Sequence, residues 1–170
     1  MQQQHDSQMA PGEGRAVHMS GETYTFKAVG ETSDGMLTLF EAIIPPGGGP
    51  PPHIHHREIE YYYVLEGALE ITAGDETFTA PAGTFVTIPK GALHRFKNVG
   101  AEPAKMLLLF TPGGIEGMFF AIGRPATPGS SASPPDAAEV EKVLSIGPEY
   151  GMEVPPLPLR LWQDDIERSK

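Results

Sequence analysis

The sequence predicts an all-β fold made of short antiparallel strands in a single domain. Twenty glycines and eighteen prolines among 170 residues indicate many turns and few long helices. Between these turns lie short runs rich in aromatic and β-branched residues, which favour strands. A chain of this length can bury one substantial core, and it contains no internal repeat long enough to build a second domain.

Six strand-forming runs follow one another along the first two thirds of the chain, at 24–29, 35–44, 61–65, 68–72, 76–79 and 105–111. A hairpin turn at 73–75 joins two of them, as in an antiparallel meander. The runs 35–44 and 105–111 are apolar on both alternating faces, so their outer faces must meet another layer or another subunit. An internal contact between sheets and a homodimer interface both satisfy this requirement, and we expect a homodimer.

Three histidines and a glutamate occur at spacings typical of a metal site. His53 and His55 are two residues apart, so in an extended strand both imidazoles point to the same face. Glu60 has the wrong parity for a continuous strand, and the chain must turn or bulge to bring its carboxylate to the imidazoles. His94 follows a turn at 89–91 and begins another strand. We expect these four side chains to bind one divalent transition ion, since imidazole and carboxylate suit Fe, Mn, Co, Ni, Cu or Zn alike.

The remaining histidines and a neighbouring acid receive other interpretations. His56 is expected to point away from the pair of ligands, towards solvent or behind them. Glu58 is too close to His55 for the ligand spacing, and we expect it to be an exposed charge at the rim of the site. His5 and His18 lie in a polar segment and receive no assignment.

The same residues resemble the two sequence motifs of the cupin family. The first motif has glycine, five residues, His-x-His, three or four residues, glutamate, six residues and glycine, and every spacing is met from Gly47 to Gly67. The second has glycine, five residues, Pro-x-Gly, two residues, histidine, three residues and asparagine, and it is met from Gly83 to Asn98. The resemblance implies a jelly-roll β-barrel, which we place at residues 22–112.

Within that family the chain is similar to bacterial single-barrel proteins of the quercetin dioxygenase type. The similarity rests on Tyr-x-Tyr-Val-Leu-Glu-Gly directly after Glu60, and on a carboxy-terminal extension with Tyr-Gly followed by a proline pair. It implies that an enolic hydroxyl of a flavonol or similar aromatic substrate binds the metal, that Glu60 is the catalytic base and that dioxygen cleaves the ring. Two other classes stay open: another metal enzyme, such as an isomerase or a decarboxylase, and a non-catalytic protein that binds a small molecule.

Several residues share the parity of the ligands and are expected to line the substrate pocket: Tyr62, Val64, Phe85, Thr87 and Phe96. This lining is mainly apolar and aromatic, which favours a flat ring-containing substrate over a sugar phosphate that would need cationic residues. The alternative is that these residues are ordinary barrel core.

The barrel is expected to lie between two flanking segments. Residues 1–21 form a polar leader that is either disordered or paired along a sheet edge. Residues 113–170 form an extension with a helix at 115–122 and a second helix that begins after an N-cap at Asp136. These helices cover either the outer surface of the barrel or its mouth. The chain then ends in an extended, proline-stiffened tail near Trp162.

Charge and the absence of certain residue types exclude several functions. The formal net charge of −10 disfavours nucleic-acid backbones and anionic membrane surfaces as partners. The chain has no cysteine, so disulfides and thiolate ligands are excluded. No apolar run approaches the roughly 18 residues of a membrane span. We therefore expect a cytoplasmic protein that acts on a small molecule.

Overall fold

The chain folds into short strands followed by two helices, and the computed structural model describes residues 8–127 and 129–156. The strands are β1 (Ala16–Met19), β2 (Glu22–Ala28), β3 (Thr38–Ile44), β4 (Ile54–His55), β5 (Ile59–Glu66), β6 (Ala68–Ala73), β7 (Glu76–Pro81), β8 (Phe85–Ile88), β9 (His94–Lys97), β10 (Ala104–Thr111), β11 (Arg124–Pro125) and β12 (Met152–Glu153). The helices are α1 (Glu116–Ile122) and α2 (Ala137–Ile146), with 3₁₀ turns at Gly30–Thr32 and Gly147–Tyr150. Each predicted strand-forming run overlaps one of these strands.

Within the described residues the strands form three antiparallel sheets. The largest has the order β11-β1-β2-β3-β10-β5-β8, a second has the order β7-β6-β9, and β12 pairs with β4. Side chains from the first two sheets meet in one hydrophobic core, for example Phe40 of β3 and Ile71 of β6. The all-β prediction is confirmed, and the arrangement is that of a jelly roll whose sheets are not closed into one continuous barrel.

Strand β10 shows how the sequence pattern sets the two faces of the large sheet. It pairs with β3 on one side and with β5 on the other. Met106, Leu108 and Phe110 are buried in the core, whereas the residues between them are half-buried on the opposite face. Alternation thus separates a core face from an outer face that is also apolar, as the sequence predicts.

Helix α1 packs against the core through an aromatic cluster. The Phe119 ring lies 5.1 Å from that of Tyr24 and 4.9 Å from that of Phe40, measured between centroids. Such tilted or edge-on contacts add to the area that each ring buries. The helix predicted at 115–122 is therefore confirmed and joined to the barrel core.

Helix α2 begins as predicted but presents a different face. The backbone N–H of Glu139 donates to the Asp136 side chain at 2.8 Å, which confirms the N-cap. The spacing of Val140, Val143 and Leu144 predicts one apolar face, but Val140 and Leu144 are 38% and 54% exposed. The reason is that the buried Glu139 carboxylate accepts from the Ser20 N–H at 2.5 Å, so a polar contact orients the helix.

The segments that flank the barrel are only partly described. Residues 16–19 of the predicted leader form β1, which pairs with β2, so this part follows the paired alternative. His18 is buried there and contacts Thr23 and Ser130 through its two ring nitrogens. His5 and Trp162 lie outside the described residues, as does the end of the predicted tail, and the division at 1–21, 22–112 and 113–170 stays a prediction.

Neither α1 nor α2 has the length and apolar character needed to span a bilayer, and the same holds for every other described helical segment.

Glu22 connects β2 to the glycine loop that precedes β4. Its side chain is buried; Oε1 accepts from the Gly49 N–H at 2.6 Å, and the Tyr24 phenol donates to Oε2 at 3.1 Å. Burial raises the pKa of Glu22 to about 8, although these two donors act to lower it. The carboxyl is therefore mostly protonated at neutral pH.

We expect Glu22→Gln to become increasingly stabilising, relative to the wild type, as the pH rises from 5 to 8. The native state retains a proton that the unfolded chain releases above its ordinary pKa of 4.5, so wild-type stability falls through this window by about 1.4 kcal/mol per pH unit. Glutamine stays neutral and removes this contribution. Denaturant unfolding at three pH values measures it, with the exposed Glu31→Gln as control; parallel pH profiles for Glu22→Gln and wild type would contradict the assignment.

Candidate metal centre

The four predicted ligands lie on neighbouring parts of the jelly roll. His53 directly precedes β4, His55 lies in β4, Glu60 in β5, and His94 begins β9. The backbones of His53 and His94 exchange two hydrogen bonds of 3.0 Å, which fixes these ligands against each other. The chain bends at 56–58, between His55 and Glu60, as the parity of the sequence requires.

The two motif segments are also hydrogen-bonded to each other. The Gly47 N–H donates to the Asn98 carbonyl and the Asn98 N–H donates to the Gly48 carbonyl, both at 2.8 Å. Gly49 has φ +143, and a Cβ there would lie 2.1 Å from the carbonyl oxygen of Phe96, so only glycine fits. This contact holds the loop before His53 against β9, which carries His94.

The structure brings the four side chains together at one buried point. One donor atom from each of His53, His55, Glu60 and His94 lies within 4.8 Å of the others. The Nδ1–H groups of His53 and His94 each donate to a backbone carbonyl at 2.9 Å, since a carbonyl can only accept. Nε2 of both imidazoles therefore faces the cluster, where it can bind an ion.

The contact between His94 and Glu60 is short but lacks hydrogen-bond geometry. Nε2 of His94 lies 2.7 Å from Oε2 of Glu60, yet neither atom has a hydrogen-bond partner among the described residues. Oε2 of Glu60 is also 3.8 Å from Nε2 of His55. Buried acceptors that converge without hydrogen bonds are costly by themselves but fit the ligand set of a divalent ion.

Burial controls the charge of the imidazoles. It lowers the pKa of His53 well below the ordinary value, and the neighbouring His94 and His55 lower it further. It also lowers the pKa of His55 to about 3, with help from His94 and His56. At His94 burial acts in the same direction, but the Glu60 carboxylate outweighs it and the pKa is raised. Two neutral imidazoles and one His–Glu pair are thus ready to bind a cation.

The comparisons with known proteins agree with this geometry. Residues 40–110, which include all four site residues, match the family model described as "Cupin domain". The chain contains a cupin domain. The resemblance carried by the two sequence motifs is therefore confirmed.

The curated relatives match over part of their length. Over 84 residues the chain is 42% identical to the polyketide synthase CurC of Streptomyces cyaneus, a match that covers 49% of this chain and 53% of that protein. Over 120 residues it is 27% identical to the quercetin 2,3-dioxygenase of Aspergillus japonicus, covering 66% of this chain and 34% of that enzyme. The chain thus spans about half the length of the first relative and about a third of the second.

A solved structure supports the fold. The crystal structure of a predicted oxalate decarboxylase from Thermotoga maritima superimposes with a TM-score of 0.59 at 18% identity, covering 62% of this chain and 98% of that one. At this identity the likeness concerns the jelly roll alone.

The cavity beside the site in the cupin domain is small, and its lining differs from the lining that the sequence predicts. It measures about 50 Å³, against roughly 300–1,000 Å³ for typical ligand pockets. Its lining consists of Met19, Ser20, Tyr24, Pro50, Pro51, His53, His55, Glu60, Phe96, Leu108, Phe110, Met118, Phe119, Val143, Met152 and Val154. This lining is mostly apolar and includes no lysine or arginine among the described residues.

The structure corrects most of the predicted pocket. Phe96 lines the cavity, whereas Tyr62 and Val64 are fully buried in the core beyond it. Phe85 and Thr87 were expected to point inwards, but both are exposed.

The error at these two positions comes from the register of β8 on β5. Directly opposite residues of an antiparallel pair share a face, and Glu60 lies opposite Ile88. Ile88 and Val86 therefore point inwards, and the residues between them point outwards. The ring of Phe85 consequently stacks on Tyr61, 5.9 Å away, on the outer side of the sheet.

The carboxy-terminal extension forms one wall of the cavity. Met118 of α1, Val143 of α2 and Met152 of β12 all face it. β12 pairs with β4, so that Met152 lies opposite His55. Of the two positions left open by the sequence, the described part of the extension occupies the mouth of the barrel.

Two residues near the ligands differ in how well they were predicted. His56 is half-exposed, as expected, and its Nε2 lies 2.7 Å from the Glu153 carboxylate on the extension. Glu58 was expected at the exposed rim, which is wrong: it is 5% exposed because the bend before β5 turns its side chain back towards His55. Burial raises the pKa of Glu58. The sequence spacing between His55 and Glu58 does not indicate that the Glu58 side chain is buried.

We expect Gly151→Ala to loosen the extension from β4. Gly151 has φ +78, and a Cβ there would lie 2.8 Å from Cγ of Arg57. Left-handed backbone costs a non-glycine residue about 1–2 kcal/mol. Because the His56 N–H donates to the Gly151 carbonyl, its amide should exchange with solvent faster in the variant, which hydrogen-exchange NMR measures.

The matched control is Gly74→Ala, which has φ +60 but open space around the added methyl group. This variant should lower global stability through the same cost of left-handed backbone, but it should not accelerate amide exchange at His56. Equal exchange at His56 in Gly151→Ala and in the wild type would show that the extension is not fastened at this residue.

Proposed function

We propose that this chain is a metal-dependent cupin enzyme, a dioxygenase that acts on a flavonol-like or other enolisable aromatic substrate. The observation that carries the proposal is the buried set of His53, His55, Glu60 and His94 facing an apolar cavity. In the proposal these residues hold one divalent transition ion. Three neutral imidazoles and one carboxylate leave a net charge of +1 and one or two coordination positions for ligands.

The proposed chemistry uses Glu60 as both ligand and base. A bound divalent ion would act as a Lewis acid on the enolic hydroxyl of the substrate, which makes its proton easier to remove. Oε2 of Glu60 is buried and has no hydrogen-bond partner among the residues that the structure describes, so it can accept that proton. The apolar walls exclude water from the anion that forms, and dioxygen serves as the oxidant.

The cavity lining supports an aromatic rather than an anionic substrate. Sugar phosphates and dicarboxylates need cationic partners, and the described lining provides none. The similarity to the quercetin 2,3-dioxygenase of Aspergillus japonicus points in the same direction. Because about 50 Å³ is too small for a multi-ring molecule, the proposal requires the extension to move when such a substrate binds.

A second candidate function follows from the similarity to the polyketide synthase CurC. Polyketide intermediates are also enolisable, and the same base and ion could isomerise such a substrate without oxidant. An isomerase or decarboxylase would leave dioxygen unconsumed, and a non-catalytic binding protein would leave the substrate unchanged.

The proposed partners are a small aromatic molecule and dioxygen. The net charge of −10 disfavours nucleic acid. We place the protein in the cytoplasm, a proposal that rests on the absence of cysteine and fits a reducing compartment.

We expect Glu60→Gln to separate the two roles of Glu60. The amide keeps a weak oxygen ligand but cannot accept the proton, so most of the metal should stay while turnover falls by about 10² or more. His53→Ala and His94→Ala should lose metal and activity together. Metal analysis of chelator-free preparations, alongside oxygen uptake with flavonols and other enolisable aromatics, measures both.

The exposed Glu66→Gln on the same strand is the matched control and should behave as wild type. Full activity of metal-loaded Glu60→Gln would eliminate Glu60 as the base. A wild type that contains no metal and takes up none would overturn the site, and turnover without oxygen uptake would favour the isomerase or decarboxylase.

We further propose that the outer face of the large sheet forms a homodimer interface. The apolar side chains of this outer face are Leu39, Ile43, Tyr61, Tyr63, Phe85, Leu107 and Leu109, and the ion pair between Glu41 and Lys105 lies among them. Phe85, Tyr63 and Ile43 are 61%, 44% and 40% exposed. Contiguous exposed apolar patches of this kind are typical of interaction sites. A face that repeats on a second copy can pair with itself about a two-fold axis.

We expect the wild type to have a dimer mass in light scattering and Phe85→Lys to shift towards the monomer. Burying an unpaired ammonium group opposes association, so the dissociation constant should rise about tenfold or more. Phe78→Lys, at an exposed position on the smaller sheet, is the control. A monomer mass for the wild type at all concentrations would exclude the dimer.

A further inference from the structure

The three histidines of the site differ in how their outer nitrogens are held. His53 and His94 each donate Nδ1–H to the carbonyl oxygen two residues earlier, Pro51 and Ala92 respectively. These contacts fix the rings and direct Nε2 towards the site. His55 also directs Nε2 towards Glu60, but its Nδ1 is buried without a hydrogen-bond partner among the described residues.

The backbone contacts at His55 differ from those at the other two histidines. The carbonyl two residues before it belongs to His53, and that oxygen accepts the backbone N–H of His94 at 3.0 Å. This bond is half of the bridge that aligns the other two ligands. Nδ1 of His55 makes no hydrogen bond to this carbonyl or to any other described group, so a nearby side chain is its available acceptor.

Glu58 is placed to provide that acceptor. Its Oε2 lies 3.9 Å from Nδ1 of His55, on the side of the ring opposite Glu60. The side chain is 5% exposed, and Oε2 also lacks a hydrogen-bond partner among the described residues. A buried donor position and a buried acceptor thus face each other, slightly too far apart for a hydrogen bond.

We propose that Glu58 is a positioning residue that orients His55 for metal binding. The inference rests on the metal site of the proposed function. An imidazole that binds an ion through Nε2 carries its proton on Nδ1, so ion binding gives His55 a donor that must be satisfied in a buried place. A small side-chain rotation of Glu58 closes the 3.9 Å gap. Glu58 itself does not join the ligand cluster.

This role predicts opposite effects on the metal-free and the metal-loaded protein. Without an ion, Glu58 is a buried carboxyl with an unsatisfied oxygen, so Glu58→Ala should melt at the same temperature as wild type or higher. With an ion, the lost acceptor should weaken binding by about 10- to 100-fold, the usual effect of removing a partner of a ligating histidine. A residue needed only for folding would lower both melting temperatures.

The experiment measures zinc affinity by competition with a chromophoric chelator, and melting temperatures with and without Zn²⁺. Glu58→Ala should show the weaker affinity and a smaller zinc-induced rise in melting temperature. Glu58→Gln keeps an acceptor oxygen and should stay within a few-fold of the wild type. Glu76→Gln, an exposed acid at the start of β7, is the matched control. Imidazole ¹H–¹⁵N spectra of the zinc form should show a protected Nδ1–H of His55 in wild type and Glu58→Gln, and lose it in Glu58→Ala.

The outcomes separate the role of Glu58 from the metal site itself. Wild-type zinc affinity and a protected Nδ1–H in Glu58→Ala would overturn the positioning role while leaving the site intact. Lower stability of the metal-free variant with unchanged zinc affinity would also overturn it. A wild-type protein that binds neither Zn²⁺ nor Co²⁺, Ni²⁺ or Mn²⁺ would overturn the site, and the role of Glu58 with it.

Discussion

Several ionisable side chains are buried together at the mouth of the jelly roll, and the rest of the structure has to accommodate them. An unpaired buried charge destabilises a protein by several kcal/mol, and an unsatisfied buried polar group destabilises it by less. The protein reduces this cost by keeping His53 and His55 neutral and by setting His94 against Glu60. Within the described part of the chain, Oε2 of Glu60 and Nε2 of His94 face the common point without a hydrogen-bond partner, which makes the site suited to a cation.

Backbone hydrogen bonds between strands and loops hold the ligand residues in position. Backbone hydrogen bonds join His53 to His94 and the loop at 47–49 to Asn98, and the joined segments are about forty to fifty residues apart in sequence. These contacts are made by backbone atoms, so they depend on chain path more than on side-chain identity. Precise placement by rigid elements is what a binding or catalytic site requires, since small displacements are costly.

Much of the fold and the ligand set could be predicted because the signals are local. The alternation of β10, the N-cap at Asp136 and the spacing of the histidines are each visible within a few residues. The inward direction of β8 depends on its register against β5, which the spacing within one strand does not contain, and Phe85 was misplaced for that reason. Glu58 was misplaced because its burial depends on the bend before β5, which turns its side chain back towards His55.

The pairing of β12 with β4 couples the stability of the carboxy-terminal extension to that of the strand that carries His55. The strand that carries His55 has the extension as its antiparallel neighbour, so the extension cannot leave without exposing backbone groups beside a ligand. Opening of the mouth and ordering of the ligand strand are then linked equilibria, and linkage is reciprocal. An ion that steadies β4 would hold the mouth closed, and a substrate that holds the mouth open would loosen the ion by the same factor. In such a protein the resting state is a compromise between retention of the metal and access to it.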